Sequence, residues 1–374
     1  MKQRTFNILL TVLFCLFIGG MFLGSILLPD RTFSQLENRN LAAAPKLSWE
    51  TVTTGTFMED AEDYVNDQII GRDFWVALKA WSERVSGKQE NNGVYFAKED
   101  TLISRVDTPS QSDLEENAGY VNALVNNVDV PVYFGIIPSA AEIWSYRLPE
   151  GAPTADEKAI IDRLYNEVQT HVIDLYSVLN AHKDEELYYR TDHHWTSLGA
   201  YYGYTALMNA MGLEAVPLDE SQKVTVSDEF YGTLFSSSGV RWLPPDHIDR
   251  YISDEGVTVT AYPNGAPEPG SLYVDSYLQV KDKYSSFLGG NKPLCVIETE
   301  HTDAPKVLVI RDSYADSLAP FLTQNFSEIH LFDPRMNLTS VKDYVVQNEI
   351  DSVVVLYSIS NFFAKGSQLF VLGG

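Results

Sequence analysis

The chain has 374 residues, 45% hydrophobic and 21% charged, with 27 Lys+Arg against 51 Asp+Glu and a formal net charge of −24. A chain of this length buries roughly three quarters of its unfolded surface, which excludes a disordered tail and a disulfide-stapled mini-protein. The acidic excess, with no dense Lys/Arg cluster to offset it, excludes nucleic acid as a partner.

Lys2 and Arg4 precede an uncharged run from Thr5 to Leu28. That run matches the about 20 apolar residues of a spanning helix and exceeds the roughly 7–15 of a cleaved signal peptide. It predicts a signal anchor over residues 1–29, with the N-terminus in the cytoplasm and the remainder outside the membrane. A signal peptide cut near Gly24-Ser25 is the alternative, although no A-x-A site precedes it. Removing residues 1–31 takes away three bases (Lys2, Arg4, Arg31) and one acid (Asp30), so the exported body carries −26. Cys15 and Cys295 fall in different phases and cannot pair, and Cys295 reads as a buried, inert thiol.

Residues 30–112 read as an extended lead-in to about residue 56, followed by helices. Phe57, Ala61, Tyr64, Val65, Ile69, Phe74, Leu78, Trp81 and Val85 recur near a 3.6-residue period, broken at Gly71, with Glu59, Asp60, Glu62 and Asp63 on a solvated face. A carboxylate pair for sugar hydrolysis has no support there, because such pairs come from separate elements facing a cleft.

From 113 to 374 helix and strand alternate. Helices are predicted at Leu114–Asn126 and Asp156–Gln169, and strands at Val130–Pro138, Val172–Leu179, Lys306–Ile310, Ile329–Phe332 and Ser352–Tyr357. Continuous apolar strands separated by helices predict a parallel sheet covered on both faces. Between about 216 and 304 the rhythm fails, and Val224–Gly232, Val257–Gly270 and Ser271–Val280 predict hairpins in a β-rich insertion.

Two places carry chemistry. Arg190-Thr191-Asp192-His193-His194-Trp195 runs into a helix with Thr196 or Ser197 as its N-cap, leaving Asp192 and His194 on a loop. Arg311-Asp312-Ser313-Tyr314 follows a buried strand and opens a helix, which raises Ser313 to the carboxyl edge of the sheet, where open α/β folds bind ligands. A serine hydroxyl is a weak nucleophile until an imidazole takes its proton, and that imidazole requires a carboxylate to fix its tautomer. Asp192 and His194, leaving an extended segment on one side, supply both; His193 points the other way and reads as a hydrogen bonder. Helix capping and a buried polar network are the plainer readings. Zinc held by Asp192, His193 and His194 with His301 or Asp303 is a further one, but neighbouring histidines on an extended segment face apart, so no metal and no other cofactor is expected.

The string Asp192-His193-His194-Trp195, the later Arg311-Asp312-Ser313-Tyr314, and the upstream Glu37-Asn38-Arg39 and Asp67-Gln68-Ile69-Ile70-Gly71-Arg72 together resemble the DHHW family, which is similar to alginate O-acetyltransferases of the SGNH-hydrolase-like superfamily. The resemblance implies a flavodoxin-like α/β/α sandwich and a Ser-His-Asp site with Ser313 as nucleophile, His194 as base and Asp192 as its orienter. It implies transfer or removal of acetyl groups on a secreted or cell-surface polysaccharide, beside a membrane-bound O-acyltransferase that supplies acyl groups, and the anchor makes an O-acetyltransferase the leading expectation. The order Asp-x-His before Ser matches the alginate-type branch, whereas Arg311 stands where related serine blocks carry Gly. Ser313 N–H and Asn361 are the candidate oxyanion donors, with Arg311, Tyr314 and His193 as further substrate-side residues. An acetylesterase and a non-catalytic scaffold of a secretion complex remain the alternatives, and the body charge tilts the substrate toward a neutral or cationic glycan.

Overall fold

The computed structural model describes residues 3–373, so Met1 and Lys2, the latter half of the predicted basic lead, lie outside the described residues. The chain divides into two compact units, residues 1–88 with 236–242 and residues 89–235 with 243–374.

In the first unit, α1 (Gln3–Leu27) is a single helix with no buried residue, long and apolar enough to cross a membrane. Helices α2 (Trp49–Thr54), α3 (Thr56–Gln68) and α4 (Arg72–Val85) follow. The predicted break falls at Gly71, whose φ of 69° is costly for any residue with a Cβ. The two upstream motifs meet as one ion-pair cluster: Arg72 reaches Glu37 at 2.7 Å and Asp67 at 3.2 Å, and Arg39 also grips both acids. These hydrogen bonds and charges hold the carboxyls of Glu37 and Asp67 below their usual values against the opposing effect of burial. The apolar stripe divides: Ala61, Tyr64 and Ile69 are half-buried, whereas Val65, Phe74, Leu78, Trp81 and Val85 stand in the open.

The second unit is built on an eight-stranded mixed sheet. Its strands are β1 (Val132–Ile137), β2 (His171–Val172), β3 (Thr258–Ala261), β4 (Glu268–Pro269), β5 (Leu294–Glu298), β6 (Lys306–Arg311), β7 (Glu328–Phe332) and β8 (Ser352–Ser358), in the order β4-β3-β5-β7-β6-β8-β1-β2. The block from β7 to β2 is parallel, and β5, β3 and β4 add antiparallel ladders. All seven residues of β8 are buried, as a strand covered on both faces demands. One group of helices packs together as α5 (Gln111–Asn127), α6 (Glu157–Glu167) and α10 (Val341–Gln347); another joins α7 (Leu175–Ala181), α8 (Ser197–Met211) and α9 (Ala315–Leu322). This is the expected α/β/α sandwich on a largely parallel sheet. The chain leaves β6 through α9 to reach β7 on one side, then returns through α10 to β8 on the other. The strand order therefore reverses at the β6/β8 boundary, and a crevice opens at the carboxyl ends of these strands.

Three local expectations are corrected. Only Val172 of the run Val172–Leu179 is strand, as the second residue of β2. Asp174 accepts from Ser177 N–H at 3.0 Å and caps α7, whose Leu175 and Leu179 are fully buried, so this apolar run serves a helix. Ser271–Val280 is no hairpin but a loop with a 3₁₀ turn at Asp275–Gln279. The hairpin in Val257–Gly270 forms, as β3 paired with β4, but β3 also pairs with β5 and so extends the main sheet. Val224–Phe230 pairs with Asp246–Arg250 as a separate two-stranded ladder.

Candidate active site

Strand β6 ends at Arg311, and the turn Asp312-Ser313-Tyr314 hands over to α9. Asp312 is fully buried and fixes that turn: Oδ1 accepts from Tyr314 N–H at 3.0 Å, and Oδ2 accepts from Ser358 N–H, Ser358 Oγ and Asn361 Nδ2 at 2.9, 2.6 and 2.9 Å. One carboxylate thus ties the serine turn to the end of β8 across the switch point.

The loop carrying Asp192 is clamped from the insertion. Arg190 N–H, Thr191 N–H and Thr191 Oγ donate to the Asp246 carboxylate at 3.0, 2.8 and 2.6 Å. The clamp bends the segment, so the expectation that the histidines face apart fails: their rings lie 3.9 Å apart at 36°. His193 is half-exposed and pairs through Nδ1 with Thr233 Oγ1 at 2.7 Å.

Asp192, His194 and Ser313 form a continuous hydrogen-bonded chain. His194 Nδ1 lies 2.6 Å from Asp192 Oδ1, and His194 Nε2 lies 2.8 Å from Ser313 Oγ. Asp192 Oδ1 also accepts from His194 N–H, and Oδ2 accepts from Thr233 N–H and Oγ1 at 2.7 and 3.0 Å. Burial alone would raise this carboxyl, yet the two histidines and these donors hold it well below the usual carboxylate range. Burial pushes His193 down to about 4, with the His194 charge adding to the effect, so that ring is neutral near pH 7. With Nδ1 bound to a carboxylate, His194 presents Nε2 as an acceptor, the arrangement that takes a hydroxyl proton.

The Tyr284 ring stacks on His194 at 3.8 Å and 9°, and its hydroxyl reaches Ser313 O and Ser317 Oγ, each at 3.0 Å. A cavity of about 280 Å³ adjoins the chain, lined among others by Ser139, Asp192, His193, Thr233, Tyr314 and Asn361. Asn361 spends one Nδ2 hydrogen on Asp312 and keeps a second. Tyr314 is almost wholly buried and donates its hydroxyl to His193 O.

Arg311 is a correction. It has no exposed surface, and its guanidinium faces Asp316 at 2.9 Å and Asn291 at 2.7 Å, so it supports the turn from behind. The Asp192, His193 and His194 donor atoms do lie within 4.8 Å of one another, but His301 and Asp303 are outside that group. Asp192 already accepts four hydrogen bonds and both His194 ring nitrogens are engaged, so an ion there would have to break the Asp192–His194–Ser313 chain.

The family model described as DHHW protein matches residues 108–332, more than half of the chain. The chain belongs to the DHHW family. A DHHW family protein from Eubacterium siraeum is 26% identical with a TM-score of 0.66, over 75% of this chain and 95% of that one. Bacillus cereus PatB1, solved with a sulfonyl adduct, shares the fold at 20% identity and a TM-score of 0.62, over 74% of this chain and 98% of its own. None of the curated proteins matches by sequence.

Each letter of the DHHW string has a place in the geometry. Asp192 and His194 are joined to Ser313, His193 pairs with Thr233, and Trp195 is wholly buried, donating Nε1–H to Tyr314 O at 2.9 Å and Ser317 Oγ at 3.0 Å. Trp195 therefore locks the start of α8 to the serine turn. Thr233, Asp246 and Tyr284, which sequence reasoning missed, all come from the irregular stretch 216–304. No local pattern marks them, because their partners are far away in sequence.

Proposed function

We propose that this chain is an O-acetyltransferase, held at the outer face of a bacterial membrane by α1, that modifies a secreted or cell-surface polysaccharide through an acyl-enzyme on Ser313. The observation that carries this reading is the 2.6 Å and 2.8 Å chain from Asp192 through His194 to Ser313 Oγ. Ser313 Oγ attacks the carbonyl carbon of the acetyl donor while its proton passes to His194 Nε2, and Asp192 stabilises the imidazolium. The oxyanion falls to Ser313 N–H and the second Nδ2 hydrogen of Asn361. Collapse expels the donor's alcohol, protonated by His194, and leaves an acetyl ester on Ser313. A sugar hydroxyl then gives its proton to His194, attacks that ester and departs acetylated, restoring the serine. The acetyl and polysaccharide assignments, and a membrane-bound O-acyltransferase as acyl source, follow the family resemblance.

Hydrolysis of the same ester by water, which the Asp192–His194–Ser313 chain would serve equally, is the second reading. Ser313→Ala tests the enzymatic role: unchanged acetylation of the exported polymer at normal protein level would overturn it and leave the scaffold. Incubating the chain with a chromogenic acetyl ester, with and without an oligosaccharide acceptor, separates the two chemistries. Acetylated sugar supports transfer, and ester release with no acetylated sugar under any acceptor assigns the esterase.

A further inference from the structure

Helix α4 carries an apolar stripe that the described residues of its own unit leave exposed. Phe74, Leu78, Trp81 and Val85 follow one another at steps of four, three and four, the spacing of a single helix face, and are 61, 39, 55 and 66% exposed. Four large apolar side chains in a row on a water-facing helix are abnormal for a soluble surface. The opposite side of the helix is occupied, with Ala80 buried and Arg72 locked between Glu37 and Asp67.

The contacts of α1 decide what meets the stripe. Ile70, two residues before α4, donates its N–H to Ser25 Oγ at 3.0 Å, and Trp75 lies edge-on to Phe17 with ring centroids 6.3 Å apart. Phe17 is eight residues before Ser25, about 12 Å further down the helix axis. Ser25 sits near the outer end of the apolar helix, so a tryptophan that reaches Phe17 dips beneath the level at which α1 leaves the hydrocarbon. The beginning of α4 is thereby fixed at the depth of an interfacial helix, whose apolar face sinks about 5–10 Å into the headgroup boundary. Trp and Phe suit that zone.

We infer that α4 lies in the outer leaflet interface with Phe74, Leu78, Trp81 and Val85 toward the acyl chains, making a second, surface-parallel membrane contact beside α1. The inference rests on α1 being retained as an anchor. It commits to lipid as the occupant, because the anchor itself delivers this face to the bilayer.

The test uses the full chain in phosphatidylcholine/phosphatidylglycerol vesicles in a Cys15→Ser background, Cys295 being buried. Single cysteines at positions 74, 78, 81 and 85, and at 79, are nitroxide-labelled and read for collision with oxygen and with a water-soluble nickel chelate. Oxygen is expected to dominate at 74, 78, 81 and 85 and nickel at 79. Nickel access along the stripe would overturn the inference, and exclusion of both probes there would replace lipid with a protein partner or a second copy. A label at Leu13→Cys reports the anchor separately: Leu13 in lipid with the stripe in water defeats this inference alone, whereas both in water defeats the anchor as well. Where a labelled variant fails to fold, brominated lipids added to the wild-type chain give the same reading. Quenching that falls sharply in Trp81→Phe supports it, and quenching unchanged by that substitution overturns it.

Discussion

Asp192→Asn is the sharpest probe of the site, because all four hydrogen-bond partners of the carboxylate are donors: His194 N–H and Nδ1 at Oδ1, Thr233 N–H and Oγ1 at Oδ2. An amide offers one acceptor oxygen and one NH₂, so either orientation sets the NH₂ against a backbone N–H. Leaving that N–H buried and unpaired costs about 1–3 kcal/mol. The orientations differ at the imidazole. If the oxygen stays with Thr233, the NH₂ donates to His194 Nδ1, the proton moves to Nε2, and the base can no longer accept from Ser313. If the oxygen stays with His194, Thr233 N–H is orphaned, although its hydroxyl can rotate to accept. The Thr233 pair, one backbone and one side-chain donor, competes directly with the His194 pair, and loss of the charge removes the stabilisation of the imidazolium in both cases. We expect hydrolysis of a chromogenic acetyl ester to fall on the order of 10⁴-fold, the scale for a wrong-tautomer histidine, with melting lowered by no more than that one lost hydrogen bond implies. Activity within about tenfold of wild type, with the cooperative unfolding transition retained, would refute the assignment of Asp192 as the group that sets the His194 tautomer.

Two further substitutions test the surroundings. Glu157 is wholly buried, accepts from Ser139 N–H and Oγ at the cavity edge, and is pushed up by burial to about 7 from an ordinary 4.5. The folded state therefore holds a proton that the unfolded chain loses earlier, and this group removes stability as pH rises from about 4.5 to 7, by about 3 kcal/mol in all. Glu157→Gln, which can accept from Ser139 N–H and donate to its Oγ, is expected to flatten that decline in denaturant unfolding at pH 5 and 8; equal slopes for the two proteins would reject it. At Gly232 a Cβ would sit 2.2 Å from both Cβ and Oδ2 of Asp192. Gly232→Ala should displace the carboxylate and cut ester hydrolysis at least tenfold, and an unchanged kcat/KM would show that the loop yields without moving Asp192.

The site was partly legible because two of its links are local. Asp192 and His194 are two residues apart, and Ser313 follows a run of Val and Leu that must be a strand, so one turn and one strand end carry the three groups. Arg311 misled for the same local reason: a cation next to a serine reads as substrate-facing, but alternation along β6 turns it beneath the sheet edge toward Asp316. His193 misled because an extended segment was assumed where Asp246 bends the chain. Thr233 and Tyr284 had no local signal, lying 41 and 90 residues from the histidine loop they support.

By itself the sequence determined the apolar helix at the N-terminus, the parallel core of the sheet and the positions of the Asp-x-His and Ser turns, since each depends on hydrophobic run length or nearest-neighbour geometry. Tertiary structure decided that β6 and β8 flank the switch point, that the irregular stretch clamps the histidine loop, and that the stripe of α4 is left exposed by the described residues of its own unit. Those outcomes depend on which distant surfaces meet, and hydrophobic patterning says that a face will be buried without naming what buries it.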